Sequence, residues 1–346
     1  MKLSRLILIL LFVFISRSQA DALRELRIGR AAHAFDHLGD IGNQADAASA
    51  CGMTIIYGTG LGEVGYHGLP PPKELADKRR ATATYVRHAK EKGIRLAIGY
   101  VCATSMVKLE TFDKNWPEKF RAQFSSVPAE WLQQDKNGKP LPSWYGGDYR
   151  PACMNNPDWR AYEKFIVRQQ LEAGYDGIFF DNPTVHQQGC YCRYCAEKFG
   201  SFLDESGGLS KLHPRPLTNS VTALRALAVS RPNDFMRFRS TIARDFFAEI
   251  RCFARTIKPD ALITANNSLN RSDLLFSQCR DLGYNIYEMS KTEDFVVVED
   301  MSSQPRRHRN GSLIEYGPTY KQLEAISHGK PIVAVTLADD GLGIPS

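Results

Sequence analysis

Three thiols, Cys190, Cys192 and Cys195, fall within six residues in the stretch GCYCRYC. Thiolates at this spacing can surround one tetrahedral ion, with metal–sulfur bonds of about 2.3 Å for zinc. They leave one tetrahedral position open, and Cys153 is the nearest cysteine upstream. His186 could replace a thiol, or could simply lie at the surface. Disulfides are the rival chemistry. Because three is odd, one thiol would then pair elsewhere, for instance with Cys153, and the other two would have to bridge each other at very short range. A single site using all four thiols is the simpler arrangement.

Nine residues before Cys190, the apolar run GIFFD ends in Asp181. Two later apolar runs also lead into acids: DFVVVED ends in Glu299 and Asp300, and PIVAVTL precedes Asp339 and Asp340. Each acid alone is equally explained as a helix cap or a salt-bridge partner. Together they offer a carboxylate pair, one to act as nucleophile or base and one to donate a proton, which is what cleavage of a glycosidic bond requires. Asp181 and Glu299 are the candidate pair, with Asp300 in reserve. His33, Asp36, Glu63, Asn182, Asn266 and Asn267 also follow apolar runs and could hydrogen-bond sugar hydroxyls. His33 could equally be a core histidine. A long segment, 102–155, carries Trp116, Trp131, Trp144, Tyr145 and Tyr149. These rings either stack on the apolar C–H faces of sugars or pack the segment against the rest of the fold. Gly60-Leu-Gly62-Glu-Val-Gly65 spells a dinucleotide fingerprint. The fingerprint needs a helix directly after it, and Pro70, Pro71 and Pro72 argue against one.

The elements that must position these groups alternate regularly. Strands are expected at 27–35, 53–58, 94–101, 176–181, 261–266, 294–300 and 331–337. Several are apolar nearly throughout, as strands covered on both faces should be. Amphipathic helices fall between them. One opens with Asn156 as N-cap and Pro157 in its first turn and stops at Gly174. Another sets Phe235, Phe238, Ile242, Phe246, Ile250 and Phe253 along one stripe. YNIYEMS (284–290) reads as helix and loop rather than a further strand. Seven or eight βα units in one chain fit a (β/α)8 TIM barrel, with a doubly wound sheet as the runner-up. Only nine residues follow the seventh strand, so the expectation is either a barrel incomplete at the C-terminus or a further strand not recognised by its pattern. In a barrel, the segments after the strands build the active site.

The chain of 346 residues is 43% hydrophobic and 24% charged, an ordinary globular composition. Residues 1–20 have a basic start, an apolar run of about ten residues, and Ser18 and Ala20 ahead of Asp21. This is the pattern of a secretory signal peptide, which leaves 21–346 as a single domain, secreted or periplasmic, with no membrane span after cleavage. The peptide carries Lys2, Arg5 and Arg17 and no acid, so its removal lowers the formal charge of +6 to +3. That balance does not point to nucleic acid as a partner.

The phrase CMNNPDWRAY, followed by GYDGIFFDNPTVHQQGCYCRYCAEKFGSFL, resembles the family-42 glycoside hydrolases, which are barrel β-galactosidases. It is closer still to the uncharacterised hypothetical glycosyl hydrolases related to them. The resemblance is specific over residues 151–203 and architectural elsewhere. It implies a carbohydrate substrate and a structural zinc ion (Zn2+) held by Cys153, Cys190, Cys192 and Cys195. One departure matters. The resembled family has its proton-donor glutamate directly after the strand-four asparagine, whereas here Asn182 is followed by Pro183. Either Asp181 takes over as acid/base, or the site is similar to that of α-galactosidase-like barrels, where a strand-four aspartate is the nucleophile and a strand-six acid the donor. The second arrangement gives Asp181 and Glu299 their roles. A non-catalytic carbohydrate-binding barrel is the alternative, and a thiol-based redox or metal-delivery protein is a more distant one.

Overall fold

The computed structural model describes residues 29–32, 41–50, 52–58, 60–143, 146–205, 220–268, 278–299, 310–312 and 317–335. The proposed signal peptide, His33, Asp36, Trp144, Tyr145, Asp300, Asp339 and Asp340 lie outside them.

All seven expected strands form. β1 (Gly29–Ala32) is followed by α1 (Ile41–Ala50) and β2 (Ile55–Gly58). Then come α2 (Glu63–His67), α3 (Pro72–Glu91) and β3 (Leu96–Cys102). The long segment contributes β4 (Ser105–Val107), α4 (Glu118–Arg121) and β5 (Tyr149–Pro151). After it run α5 (Pro157–Glu172), β6 (Gly177–Asp181), α6 (Arg193–Glu205), α7 (Val221–Ser230), α8 (Pro232–Ile257) and β7 (Leu262–Ser268). The chain continues with α9 (Ile286–Met289), β8 (Val296–Glu299), α10 (Gly317–Ile326) and β9 (Ile332–Val335).

The main sheet has seven strands in the order β1-β2-β3-β6-β7-β8-β9, each parallel to its neighbours. This order never reverses. A doubly wound sheet must reverse at its switch point, so the architecture is a curled, barrel-type sheet. Among the described residues no eighth strand joins β9 to β1. The described residues thus form a curled parallel half-barrel, consistent with an incomplete (β/α)8 barrel. β4 and β5 pair antiparallel as a separate ribbon standing on the end of β3.

Alternation along each strand separates two cores. Leu96 and Ile98 of β3, Phe179 of β6, Leu262 of β7 and Val297 of β8 share one cluster on the inner face of the sheet. Their sequence neighbours Val101, Ile178, Phe180, Ile263 and Ala265 instead pack outward against the helices. The outer layer is carried by the apolar stripe of α8, where Phe238, Ile242, Phe246 and Ile250 are buried and Phe235 and Phe253 pack at its margin. α5 starts where expected: the Asn156 carboxamide oxygen accepts from the Asp158 and Trp159 amides at 2.8 and 3.3 Å, and Pro157 occupies the first turn. Close packing explains two glycines. A Cβ at Gly177 would lie 2.3 Å from the Leu262 carbonyl oxygen of the next strand, and one at Gly99 would lie 2.1 Å from Oε1 of Gln170.

The expectation about the three prolines needs correcting. Pro72 opens α3 rather than preventing a helix, because proline's missing N–H costs nothing in a first turn. Gly65, last of the fingerprint, lies within α2, where a Cβ would meet Val101 Cγ2 at 2.6 Å. It is there for close packing of helix on sheet. No helix among the described residues is long and apolar enough to cross a membrane.

Candidate active site and thiol cluster

Strand alternation brings the first site together. Asp181 is the last residue of β6 and lies two positions past the inward-facing Phe179. By the same count Tyr100 and Cys102 follow Ile98 on β3, and Asn266 follows Leu262 on β7. Cys102 is in register with Asp181. The three strands converge on the Asp181 carboxylate. Tyr100 donates its hydroxyl to Oδ2 at 2.7 Å. Asn266 donates Nδ2 to Oδ1 at 2.9 Å, and the Asn182 amide donates to the same oxygen at 2.9 Å. The main chain there is fixed as well, since the Ala103 amide donates to the Asp181 carbonyl at 2.7 Å. Burial, then the charges of Cys102 and Asp181, push the Tyr100 phenol well above its ordinary range, so it stays a proton donor. Burial and Asp181 likewise push the Cys102 thiol up, which leaves it a poor nucleophile.

Asn182 turns the chain away from the sheet with φ +53°, a left-handed conformation that asparagine tolerates better than most residues. Its carbonyl accepts from the Thr184 amide and the Thr104 hydroxyl, both at 2.7 Å, and its Nδ2 lies 3.8 Å from Cys102 Sγ. Asp181, Asn182 and Asn266 therefore meet. Glu299 ends β8 in register with Ser268 and Val335, and its side chain lies outside the described part. Glu63 is elsewhere: it lies on α2, 3.5 Å from Lys78, in a separate cleft of about 410 Å³ that also takes in His67, Glu74, Lys114 and Asn115.

The tryptophan alternative resolves toward packing for two residues. Trp131 is fully buried and Trp116 nearly so, inside an aromatic core with Phe112, Phe120, Phe124 and Tyr162. Trp116 stacks on Tyr162 with ring centres 5.5 Å apart. Neither ring is available to a ligand. Tyr100 was missed. It was legible as an aromatic residue near the end of an inward-facing strand, but its partner lies 81 positions away.

The second site is the thiol cluster. The Sγ atoms of Cys153, Cys190, Cys192 and Cys195 all lie within 4.8 Å of one another, and all four residues are buried. Cys153 Sγ is 3.5 Å from that of Cys192 and 3.6 Å from that of Cys195. Four thiolates around one ion with bonds of about 2.3 Å would be separated by about 3.8 Å. A disulfide needs about 2.05 Å. The spacing fits an ion and excludes a bond, and none of the described cysteines is in a disulfide. Asn155 Nδ2 and the Gln134 amide point at Cys195 and Cys190, each 3.4 Å from sulfur, as donors to thiolate ligands do. Contacts among the sulfurs push the Cys153 and Cys195 thiols well up and pull Cys192 well down, so the set does not ionise together unaided. A metal ion, which four thiols at this spacing could hold, would supply that missing stabilisation. His186 is not part of the cluster. Its amide donates to Gln133 Oε1 at 2.8 Å, and burial lowers its imidazole below the usual value.

The comparisons bear on the family and on the fold. Residues 99–198 match the family model described as hypothetical glycosyl hydrolase family 15. That stretch contains Tyr100, Asp181 and all four clustered cysteines. Among solved structures, the chain is similar to the β-galactosidase of the psychrophilic Marinomonas ef1, with a TM-score of 0.56 and 10% identity over 88% of this chain and 47% of that one. It is also similar to the β-galactosidase of the Antarctic haloarchaeon Halorubrum lacusprofundi, with a TM-score of 0.51 and 16% identity over 80% and 40%. The β-galactosidase of Rahnella sp. R3 gives a TM-score of 0.50 and 11% identity over 89% and 50%. The chain thus spans half or less of the length of these structures, and likeness at such identity establishes the barrel fold alone. A comparison with curated proteins gives no match.

Proposed function

We propose that this chain is a secreted glycoside hydrolase-like barrel that cleaves glycosidic bonds of oligo- or polysaccharides with a carboxylate pair. The observation that carries the reading is the Asp181 carboxylate, held by donors from three adjacent strand ends on the inner face of the sheet. A family model for hypothetical glycosyl hydrolases covering the same residues supports it. Oδ1 takes two N–H donors and is the anchored oxygen. Oδ2 takes one hydroxyl and keeps a lone pair for attack on an anomeric carbon. In this reading Glu299 is the acid/base. Period-two alternation from Val297 gives position 299 the inner face of β8, and Asp300 is the reserve. As the bond from Asp181 to the sugar forms, the C–O bond to the leaving group breaks and Glu299 gives its proton to the departing oxygen. Water then cleaves the glycosyl ester, with Glu299 as base. That retaining course requires carboxyl groups about 5–5.5 Å apart, whereas inversion requires about 6.5–9.5 Å. Asn182, Asn266, His33, Trp144 and Tyr145 are assigned to substrate binding, and Glu63, in its separate cleft, is not.

The four cysteines are read as a structural zinc site. With four thiolate ligands, such a site has no open position and supplies rigidity rather than Lewis-acid chemistry. It staples the segment after β5 to the start of α6, on either side of the strand that ends in Asp181.

Pro183 favours a second reading, a carbohydrate-binding barrel without catalysis, because it stands where the resembled family has its donor. Hydrolysis of a panel of aryl glycosides by the wild-type protein, lost in Asp181→Asn, supports the enzyme. Oligosaccharide binding with no hydrolysis of any member of the panel supports the second reading.

A further inference from the structure

Arg239, on α8, is 5% exposed, and no carboxylate among the described residues forms an ion pair with it. Its hydrogen bonds all go to neutral carbonyls. Nη2 donates to Val185 and His186 at 2.9 Å each, and Nη1 reaches the Arg280 carbonyl at 3.5 Å. Nε is buried without a partner among the described residues. Burying a guanidinium with no anion nearby is strongly unfavourable. Arginine cannot relieve that cost by giving up its proton, so an anion should be close at hand.

The thiol cluster is a candidate by position: the His186 carbonyl that accepts from Arg239 Nη2 also accepts from the Gly189 amide at 2.8 Å, one residue before Cys190. Tyr191, Cys279, Cys190 and Cys195 all lie within electrostatic range of the guanidinium. A divalent ion with four thiolates carries a net charge of −2, and such a centre is itself costly to bury unless a cation faces it. Each charge answers the other. We infer that Arg239 is the counter-charge of the four-cysteine metal centre. The inference rests on the metal reading of that cluster and adds a residue that no ligand pattern in the sequence discloses.

The surroundings are built around this guanidinium. Gly283, with φ +64°, leaves it room, since a Cβ there would fall 3.1 Å from Arg239 Nη2 and 2.6 Å from Val185 Cβ. From the opposite side Gln133 holds the same loop, donating Nε2 to the Thr184 carbonyl at 2.9 Å and accepting the His186 amide at 2.8 Å. The loop held between them joins Asp181 to Cys190. Arg239 is therefore a positioning residue that touches both the metal centre's field and the backbone leading from the candidate nucleophile.

The test uses the full chain loaded with zinc, in wild-type form and as Arg239→Lys and Arg239→Met. Zinc per chain and zinc affinity are measured by competition with a chromophoric chelator, and thermal unfolding is followed with and without zinc. Lysine retains the charge and loses the fork, while methionine loses both. Arg239→Met should bind zinc about 10–100-fold more weakly, the usual effect of losing an outer partner of a metal site. Arg239→Lys should stay within about fivefold of wild type. The two variants should differ in unfolding temperature with zinc bound and coincide once it is stripped. Equal losses of affinity in both variants, or affinities unchanged in Arg239→Met, would overturn the assignment and leave Arg239 as a backbone clamp. A wild-type chain that takes up no zinc overturns the metal reading itself, and is seen before any variant is compared.

Discussion

Glu293 gives a sharp test of how this fold is held together. It precedes β8 and is fully buried, with Oε1 accepting from the Ala265 amide at 2.9 Å and from Asn267 Nδ2 at 3.0 Å. Its second oxygen has no partner among the described residues. Burial outweighs those two hydrogen bonds and raises the carboxyl from 4.5 to about 8. The folded state therefore keeps a proton that the unfolded chain releases above about pH 4.5. Stability from this group is fully present below that pH and is lost as pH rises toward 8. At about 1.36 kcal/mol per pH unit, the full loss approaches ~5 kcal/mol, of which ~3–4 kcal/mol falls between pH 5 and pH 8. Glu293→Gln retains an acceptor for Ala265 and Asn267 and cannot ionise. Urea unfolding of both proteins at pH 5, 6, 7 and 8, with m unchanged, should show the variant gaining ~3–4 kcal/mol on wild type across the range. Any pH dependence of the thiol cluster is common to both proteins and cancels in the difference. Curves that stay parallel to within about 1 kcal/mol would show that Glu293 is ionised in the folded protein, and the reasoning would fail.

Other perturbations probe the site and the packing. Tyr100→Phe removes the hydroxyl on Asp181 Oδ2 and should lower kcat about 10–100-fold, at ~1.5–3 kcal/mol for a hydrogen bond to a charged group, with little change in unfolding temperature. Cys195→Ser should lower bound metal from one ion per chain and make the protein unfold at a temperature that no longer responds to chelator, as elemental analysis and calorimetry would record. Gly177→Ala should destabilise more than Gly99→Ala. The first places a methyl against the Leu262 backbone, while the second meets the end of the Gln170 side chain, and overpacking costs about 1–3 kcal/mol where something can yield. Chemical denaturation at one pH ranks the two. Glu163→Gln should behave like Glu293→Gln in sign, because burial pushes this carboxyl well up and neither of its oxygens has a partner among the described residues. The gain should be larger at pH 8 than at pH 5.

Much of this protein is written locally. Apolar strands separated by amphipathic helices announce a βα succession, and all seven strands form within a few residues of their expected bounds. The cap at Asn156 and the stripe on α8 also follow from near neighbours, because helix periodicity and capping depend on contacts three or four residues apart. The thiols of GCYCRYC and the acid closing GIFFD are visible for the same reason. Other features depend on which strands become adjacent and how the sheet curls. The fate of Trp116 and Trp131 could not be read in advance, since an aromatic ring stacks on a ligand or on Tyr162 according to where the long segment folds back. The prolines at 70–72 misled because proline breaks a helix in its interior and begins one at its first turn, and only position in the element distinguishes the two.

By itself the sequence determined the alternating elements, the acid at the end of the fourth strand of the main sheet, and a set of thiols able to hold an ion. Tertiary structure alone decided that Tyr100 and Asn266 close on Asp181, that the four thiols lie together without a disulfide, and that Arg239 is buried against the Val185 and His186 carbonyls. The reason is one of range. Alternation and helical periodicity assign a side chain to a face, but its partners on that face come from strands some 80 residues away, which only the curl of the sheet brings within hydrogen-bonding distance.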